Sequence, residues 1–523
     1  QLTTPSFTKI GTGTVETTLI GTGGRLPPTA VFEDDGFTSY DPATDGLDFY
    51  ESLEGMLITI DAPMAVSNTN SFRETFVVAS GGAGATGINS RGGITISDGD
   101  FNPERIQLDD DSGLFAGFTN SFTVGDRLSS VTGIVSYAFQ SYEVLVTEAV
   151  TTVVDVSNVK EVTALSEGVD RVSAATYNLA NVSAVSSAAK LASIASDIVN
   201  NLKSPDIIGV QEIQDADGTG NGANLSGIAT ANAIIAAIQA AGGPTYAYVE
   251  VAPTAPNSTG GAPGGNIRNG FFYDPSRVTL VPGSVQIIDD PIYAGTRRPL
   301  VASFSFNGEV ITLINMHSTS RGGSDGLQSA NQPPNNAGDA ARTAQAAAVK
   351  AFIDGRLAVD PAAKIAVLGD LNGFTWEAAI QQLTSGGALR NLSDLIAPEE
   401  RFSFNFEGNS QQLDHIIATR NLFDVAQFDA VQLNSDLPTA QQLSTDHDAM
   451  LALFEIPVPL IGNDAANTIN GTQASERIQG LGGNDRLNGN RGNDIVEGGE
   501  GNDIISGGSG VNQLFGGAGN DQF

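Results

Sequence analysis

The chain has 523 residues, with 59 acidic and 25 basic side chains, three histidines and no cysteine. Disulfides, thiolate nucleophiles, zinc–thiolate sites and iron–sulfur clusters are thereby excluded. A net charge of −34 excludes a simple electrostatic grip on nucleic acid or an anionic membrane. No run approaches the roughly 18 apolar residues of a membrane-spanning helix, and the length predicts about three domains.

Residues 1–40 are rich in Thr, Gly and Pro, lack periodicity and read as a linker or tether. The stretch carries no initiator Met and no apolar targeting segment, so any such segment is expected to be removed or absent. Residues 41–155 alternate in short runs such as Met56–Ile60, Glu74–Val78, Gly93–Ser97, Arg127–Val135 and Tyr142–Thr147. With turn residues between them, they predict a small all-β barrel or sandwich, open to an oligonucleotide-binding type. A charge of −14 over the first 154 residues argues against a strand-binding groove there and for a spacer or docking module.

Over 165–458 the texture becomes β/α. Strands are expected at Arg171–Leu179, Asp206–Val210, Leu300–Phe306, Val310–Asn315, Lys364–Leu368, Gln412–Ala418 and Met450–Phe454. Helices are expected at Ser186–Leu202, Ile228–Ala241 and Asp339–Gly355. Asn307-Gly308 marks a tight hairpin. The mixture fits one α/β domain with layered sheets.

Glycine, at 61 residues, is over-represented, and residues 460–523 account for part of the excess. In nonapeptides counted from Gly462, the eighth positions are Ile469, Ile478, Leu487, Val496, Ile505, Leu514 and Phe523. The sixth are Asn467, Glu476, Asp485, Asp494, Asp503, Asn512 and Asp521. Glycine permits the tight turn, carboxylates and turn carbonyls hold a hard cation, and the aliphatic residue fills a core. Seven in-register copies argue against a low-complexity linker. The pattern resembles RTX repeats, which implies a parallel β-roll with Ca²⁺ at Asp485, Asp494, Asp503 and Asp521 and an extracellular or cell-surface setting. Phe523 ends a repeat without a cap, so the natural chain is expected to continue.

All three histidines fall at or near strand ends of the α/β domain: His317 after Ile311–Met316, His415 in Gln412–Ile417, and His447 just before Met450–Phe454. Asn178, Glu212, Asp370 and Asn372 also close apolar strands. Each alone reads as a satisfied structural residue or a helix cap; together at strand ends they predict a site.

The ordered set Asn178, Gln211-Glu212, His317, Gly369-Asp370-Leu371-Asn372, Asp414-His415 and Asp446-His447 resembles the endonuclease/exonuclease/phosphatase superfamily over about residues 165–458. Gln211–Gly218, Ser320–Gly323, Arg342 with Gln345, and Phe402–Phe404 narrow the likeness to secreted bacterial nucleases. The resemblance implies a layered α/β sandwich of deoxyribonuclease type and metal-assisted phosphodiester hydrolysis. Glu212, with Asn178 and Asp446, would hold Mg²⁺ or Mn²⁺. His447, oriented by Asp414, would be the general base, with Asp370 and Asn372 placing water and phosphate. His317 would hold the phosphate or act as general acid, with Asn178 also beside the phosphate. By position, Arg297 or Arg298 before the strand Leu300–Phe306, and Arg321, are candidates to bind phosphate oxygens, with a surface salt bridge the alternative for the first two. His415 reads as support for its strand.

Two positions depart from the family. Ile267 stands where a Glu would partner His317, and Thr319 where a Lys would follow it. Three functions stay open: a secreted nuclease that binds nucleic acid weakly; a phosphodiesterase or phosphatase on small or lipid phosphoesters; or a calcium-ordered surface or matrix protein that self-assembles.

Overall fold

The computed structural model describes residues 8, 11 and 13–523, except 116, 119, 120, 221–223, 263, 439 and 440. The chain divides into two compact units.

The first unit comprises 1–158 together with 324–335 and 406–409. Its main element is one nine-stranded mixed sheet in the order 18–20, 57–60, 131–138, 141–146, 106–109, 75–78, 64–65, 127–128, 152–154. Alternation along these strands turns Ile58, Ile60, Val77, Leu108, Val131, Val135 and Val144 into a common core with Phe49 and Tyr50 of the short helix Gly46–Glu51. The expected tether is in part structural. Thr18–Ile20 pairs in parallel with Ile58–Ile60, and Ile20 and Phe32 are buried in the core. The remainder of that expectation at 1–7, 9, 10 and 12 lies outside the described residues. The strand expected at Gly93–Ser97 shortens to Ile94–Thr95, and Arg127–Val135 divides into two.

The second unit contains two facing sheets and the C-terminal repeats. One sheet has six strands in the order 247–250, 268–273, 207–213, 171–182, 449–455, 426–431. The other runs 279–280, 300–306, 309–317, 364–370, 414–419, 389–391, with 286–287 also against 300–306. Successive residues serve opposite layers. Ala174, Ile207, Phe271, Leu313, Leu368 and Ile416 fill the core between the sheets. Their neighbours Ala175, Ile208 and Phe272 pack on Ile194, Ile198, Ile234 and Ile238 of helices Ala188–Ser196 and Ile228–Ala240 and the turn between them. Ile314, Val367 and Ile417 pack on Val349, Ile353, Ile380 and Leu383 of helices Asp339–Val359 and Ala378–Thr384. The result is the expected layered α/β sandwich, here with four layers. Asn307 (φ 49°) and Gly308 (φ 80°) make the hairpin turn their identities predicted. The helix expected at Ser186–Leu202 stops at Ser196 and continues as one wider turn over Asp197–Asn201.

From Val458 the chain winds into a β-roll of two parallel sheets, 458–463, 476–482, 495–500, 513–518 and 468–470, 486–488, 504–506. Each coil advances 18 residues, so Ile478 pairs with Val496 and Leu487 with Ile505, and these four side chains are buried. Asp503 Oδ1 accepts from Asp485 N–H at 2.8 Å and Asp494 Oδ1 from Glu476 N–H at 2.9 Å, while Oδ2 of Asp485, Asp494 and Asp503 is buried without a donor. Such oxygens fit Ca²⁺, a hard cation that takes six to eight oxygen ligands. A Cβ at Gly489 would run into the Asp494 carboxylate, which is why the repeat demands glycine there. The sequence of the repeats and this geometry agree that the roll binds calcium.

Two outcomes are expected. Chelation of calcium removes the roll's cross-strand support, so far-UV circular dichroism should lose part of its β signal and recover it on adding Ca²⁺. In the first unit, burial and then the charges of Asp109, Glu74 and Asp111 push Glu143 up to about 7. A carboxyl raised in the folded state stabilises fully below its unfolded pKa of about 4.5 and loses that contribution as pH rises through 7. Glu143→Gln should therefore raise the melting temperature by several degrees at pH 8 and leave it unchanged near pH 4.

Candidate active site

Pairing within the second sheet builds half of the site. His317 stands beside Asp370 on the next strand, and Asp370 beside Asp414 on the strand after it. Cross-strand neighbours share a face, so the three side chains form one row. His415, one residue on, falls to the opposite face. It is fully buried, with Nε2 donating to Gly373 O at 2.8 Å and Nδ1 3.0 Å from the Asn391 amide, and burial lowers it to about 4. It supports its strand, as its sequence reading holds.

The first sheet supplies the other half. Its ladder shifts register after Asn178, where Ala180 (φ 44°), Asn181 (φ 56°) and Glu212 (φ 59°) adopt left-handed backbone. Positive φ in three non-glycine residues is stored strain, typical of a functional bulge. The bulge directs Glu212 Oε2 onto the N–H and amide of Asn181, at 2.9 and 2.8 Å. Oε1 is left facing Asn178 Nδ2 at 3.4 Å and His317 Nε2 at 3.9 Å.

Asp370 joins the halves. Its Oδ2 accepts from Asn178 Nδ2 at 3.0 Å and lies 3.5 Å from His317 Nε2 and 3.9 Å from His447 Nε2. Its Oδ1 accepts from the Asn372 N–H at 3.0 Å. Burial first, then Asp414 and Glu212, push its carboxyl up to about 7 against the opposing charge of His447. His447 Nδ1 meets Asp414 Oδ2 at 2.8 Å, and Phe404 packs on its ring. Burial disfavours the imidazolium, but Asp414, Asp370 and Asp446 outweigh it and hold His447 well above the usual histidine range. Burial and the charges of Arg297 and His447 keep His317 neutral, and its Nδ1 is buried without a partner. Ile267 is a core residue, so the missing carboxylate is indeed missing on that side.

Several residues expected at the site stand differently. Asn178 turns its carbonyl to Ala180 N–H at 3.0 Å and its amino group to the carboxylates of Glu212 and Asp370, so it stands here as a donor to the cluster. Asp446 is exposed and acts by charge on His447 and Lys190. Arg298 pairs outward with Asp289 at 2.8 Å. Arg321 is held by both oxygens of Glu377, at 2.8 and 2.7 Å, over the ring of Phe374. Only Arg297 lies buried against the cluster, its NH2 on Ser318 O at 2.7 Å and its Nε without a partner. Arg342 and Gln345, both fully buried, brace Thr319 and Ser320.

Sequence reasoning passed over two groups. Asn181 braces the Glu212 carboxylate. Lys190, the only cation on its helix, donates to Ala180 O at 2.5 Å under the charges of Asp446 and Glu212. The signal for Lys190 was its solitude in an Ala-rich helix directly after the bulge.

Among the described residues, no three His, Asp or Glu ligand atoms gather within 4.8 Å of one another at this face. Glu212 Oε1 and Asp370 Oδ2 are the oxygens that approach His317 Nε2, at 3.9 and 3.5 Å. One or two carboxylates with room for water suit Mg²⁺ or Mn²⁺, which keep much of their hydration. The donor set thus fits a hard dication.

Oxygen ligands beside an imidazole–carboxylate pair suit attack of water on phosphorus, and they place the chain among metal-dependent phosphodiester hydrolases. It belongs to the Endonuclease/Exonuclease/phosphatase family, which matches residues 175–447, just over half of the chain, and whose members use Mg²⁺ or Mn²⁺. Residues 461–496 and 488–523 match the RTX calcium-binding nonapeptide repeat, and 19–155 match a domain of unknown function, DUF8508. Similar solved structures include truncated TDP2 from Caenorhabditis elegans, at 16% identity over 55% of this chain and 98% of that one, TM-score 0.36. Others are the human Nocturnin catalytic domain with bound sulfate (14%, 55% and 94%, 0.37) and a family member from Bacteroides thetaiotaomicron (16%, 54% and 95%, 0.35). No curated protein matches the chain.

Asn181→Ala should weaken Mn²⁺ binding about 10–100-fold, the usual cost of removing a group that orients a ligand. Paramagnetic-resonance titration in saturating Ca²⁺ reads this separately from the roll.

Proposed function

We propose that this protein is an extracellular nuclease that hydrolyses phosphodiester bonds of DNA or RNA with a divalent cation. The observation that carries the reading is the 2.8 Å His447–Asp414 pair, whose Nε2 faces Asp370 on the side where Glu212 presents Oε1. Glu212, helped by Asp370, would hold the metal, which would neutralise charge on the phosphoryl and leaving oxygens. Asp414 fixes the His447 tautomer with Nε2 turned inward, where it takes the proton from water. Asp370 and Asn372 orient that water. His317, neutral, donates a hydrogen bond from Nε2 to the phosphate, and Arg297 supplies positive charge to its oxygens.

Charge shapes how substrate is held. Arg298 and Arg321 are neutralised by Asp289 and Glu377, which leaves Arg297 and Lys190 as the cations beside the carboxylate cluster. Two phosphate contacts predict a salt slope no steeper than about −2 in log K against log salt, so substrate is bound weakly. In sea-like salt little steering would be lost, because screening is nearly complete beyond a few Å. The calcium roll supports the extracellular setting, where the ion is plentiful.

Hydrolysis of plasmid DNA, RNA and bis-p-nitrophenyl phosphate with Mg²⁺ or Mn²⁺ tests the proposal. His447→Ala should lower kcat by about 10²–10⁴-fold on each cleaved substrate, the usual worth of a general base. Cleavage of the small ester alone would move the substrate to small phosphoesters, and inertness of the wild-type protein would favour an assembly role. In Asp414→Asn the largest charge that raises His447 is gone, so the acid limb of the pH–rate profile should move to lower pH as the rate falls.

A further inference from the structure

The N-terminal unit carries a second set of hard oxygen ligands. Carboxylate oxygens of Glu33, Asp35 and Asp45 lie within 4.8 Å of one another. Asp45 is 1% exposed, and its Oδ1 is buried without a hydrogen-bond donor, as is Glu33 Oε2. The neighbouring oxygens are already bound: Glu33 Oε1 accepts from the N–H of Asp35 at 2.9 Å and of Phe37 at 3.2 Å, and Asp35 Oδ1 from that of Thr38 at 2.8 Å. No salt bridge offsets the cluster among the described residues, and residues 26–72 hold nine acidic side chains and no Lys or Arg. The backbone N–H of Asp34 is the donor to the Asp45 carboxylate, and a buried carboxylate oxygen left without a donor or counter-charge beside it is a costly arrangement. Burial first, then the charges of Asp34, Glu33 and Asp48, push Asp45 up to about 6.

We propose that Glu33, Asp35 and Asp45 form a calcium site that ties the segment 33–45 to the start of the helix Gly46–Glu51. The donor set is all oxygen, without His or Cys, which excludes a zinc-type site. Its carboxylates come from an irregular loop, which suits the adaptable six-to-eight coordination of Ca²⁺ better than the rigid octahedron of Mg²⁺. The site shares no residue with the catalytic cluster or with the repeats, and it requires nothing of the reaction.

Equilibrium dialysis of the full chain against ⁴⁵Ca²⁺ tests it. Wild type should bind one more Ca²⁺ per chain than Asp45→Asn or Glu33→Gln, while the calcium-induced circular-dichroism change of the roll is the same in all three. In the wild type, millimolar Ca²⁺ should also slow proteolytic cleavage within 33–45, where Phe37 is exposed. This second measurement stands even if a variant fails to fold. Equal stoichiometry in wild type and folded variants, or cleavage of the wild-type segment at one rate with and without calcium, would overturn the proposal.

Discussion

Asp370 concentrates the constraint on which the catalytic unit depends. A buried carboxylate sits within 4 Å of two imidazoles, with Glu212 and Asp414 adding negative charge around it. Such a group survives only where hydrogen bonds and counter-charges are supplied from several directions. Asn178 comes from the first sheet, the Asn372 N–H from the turn that follows, and His317 and His447 from strand ends in the second sheet and the first. The facing of two sheets is therefore what permits the site, because neither sheet alone presents all of these groups. Gln211 and Asn315 pin the sheets together beneath it, Gln211 Nε2 to Asn315 Oδ1 at 2.7 Å and Asn315 Nδ2 to Gly270 O at 2.8 Å.

The electrostatics divide labour between like residues. The three histidines of the fold are shifted in opposite directions. His447 is raised by the surrounding carboxylates, which strengthens it as a base, while burial beside Arg297 lowers His317, and burial lowers His415, whose two nitrogens are both satisfied. Cross-strand position explains the division: a one-residue step from Asp414 to His415 exchanges the catalytic face for the helical one.

Much of this was legible in the residues because strand periodicity is local. Ile311–His317, Lys364–Asp370 and Asp414–Ala418 announce themselves by apolar runs that end in chemistry, and the 18-residue coil follows from the nonapeptide count. What stayed hidden depends on distant partners. Nothing local distinguishes Arg297 from Arg298, yet one is buried at the site and the other pairs with Asp289 in solvent. Arg321 kept its place but is bound to Glu377, far along the chain. Nor does the local sequence show which end of the Asn178 amide faces the carboxylates; the Ala180 N–H decides it. Thr18–Ile20 read as linker because a three-residue edge strand carries too little pattern to stand out from its Thr- and Gly-rich surroundings.

The ladder of the β-roll carries a consequence for how the protein responds to its surroundings. Each aspartate offers one oxygen to a backbone N–H exactly one coil away and leaves the other for the cation. A coil that takes up an ion thereby holds the ligands of its neighbour in place, so occupancy in one rung lowers the ordering cost of the next. An array wired in this way switches over a narrow range of calcium concentration. The first coil is also stitched to the sandwich, Ser475 N–H to Asp170 Oδ2 at 2.9 Å and Ser475 Oγ to Glu455 Oε1 at 2.5 Å, which gives the array a fixed end from which ordering can propagate.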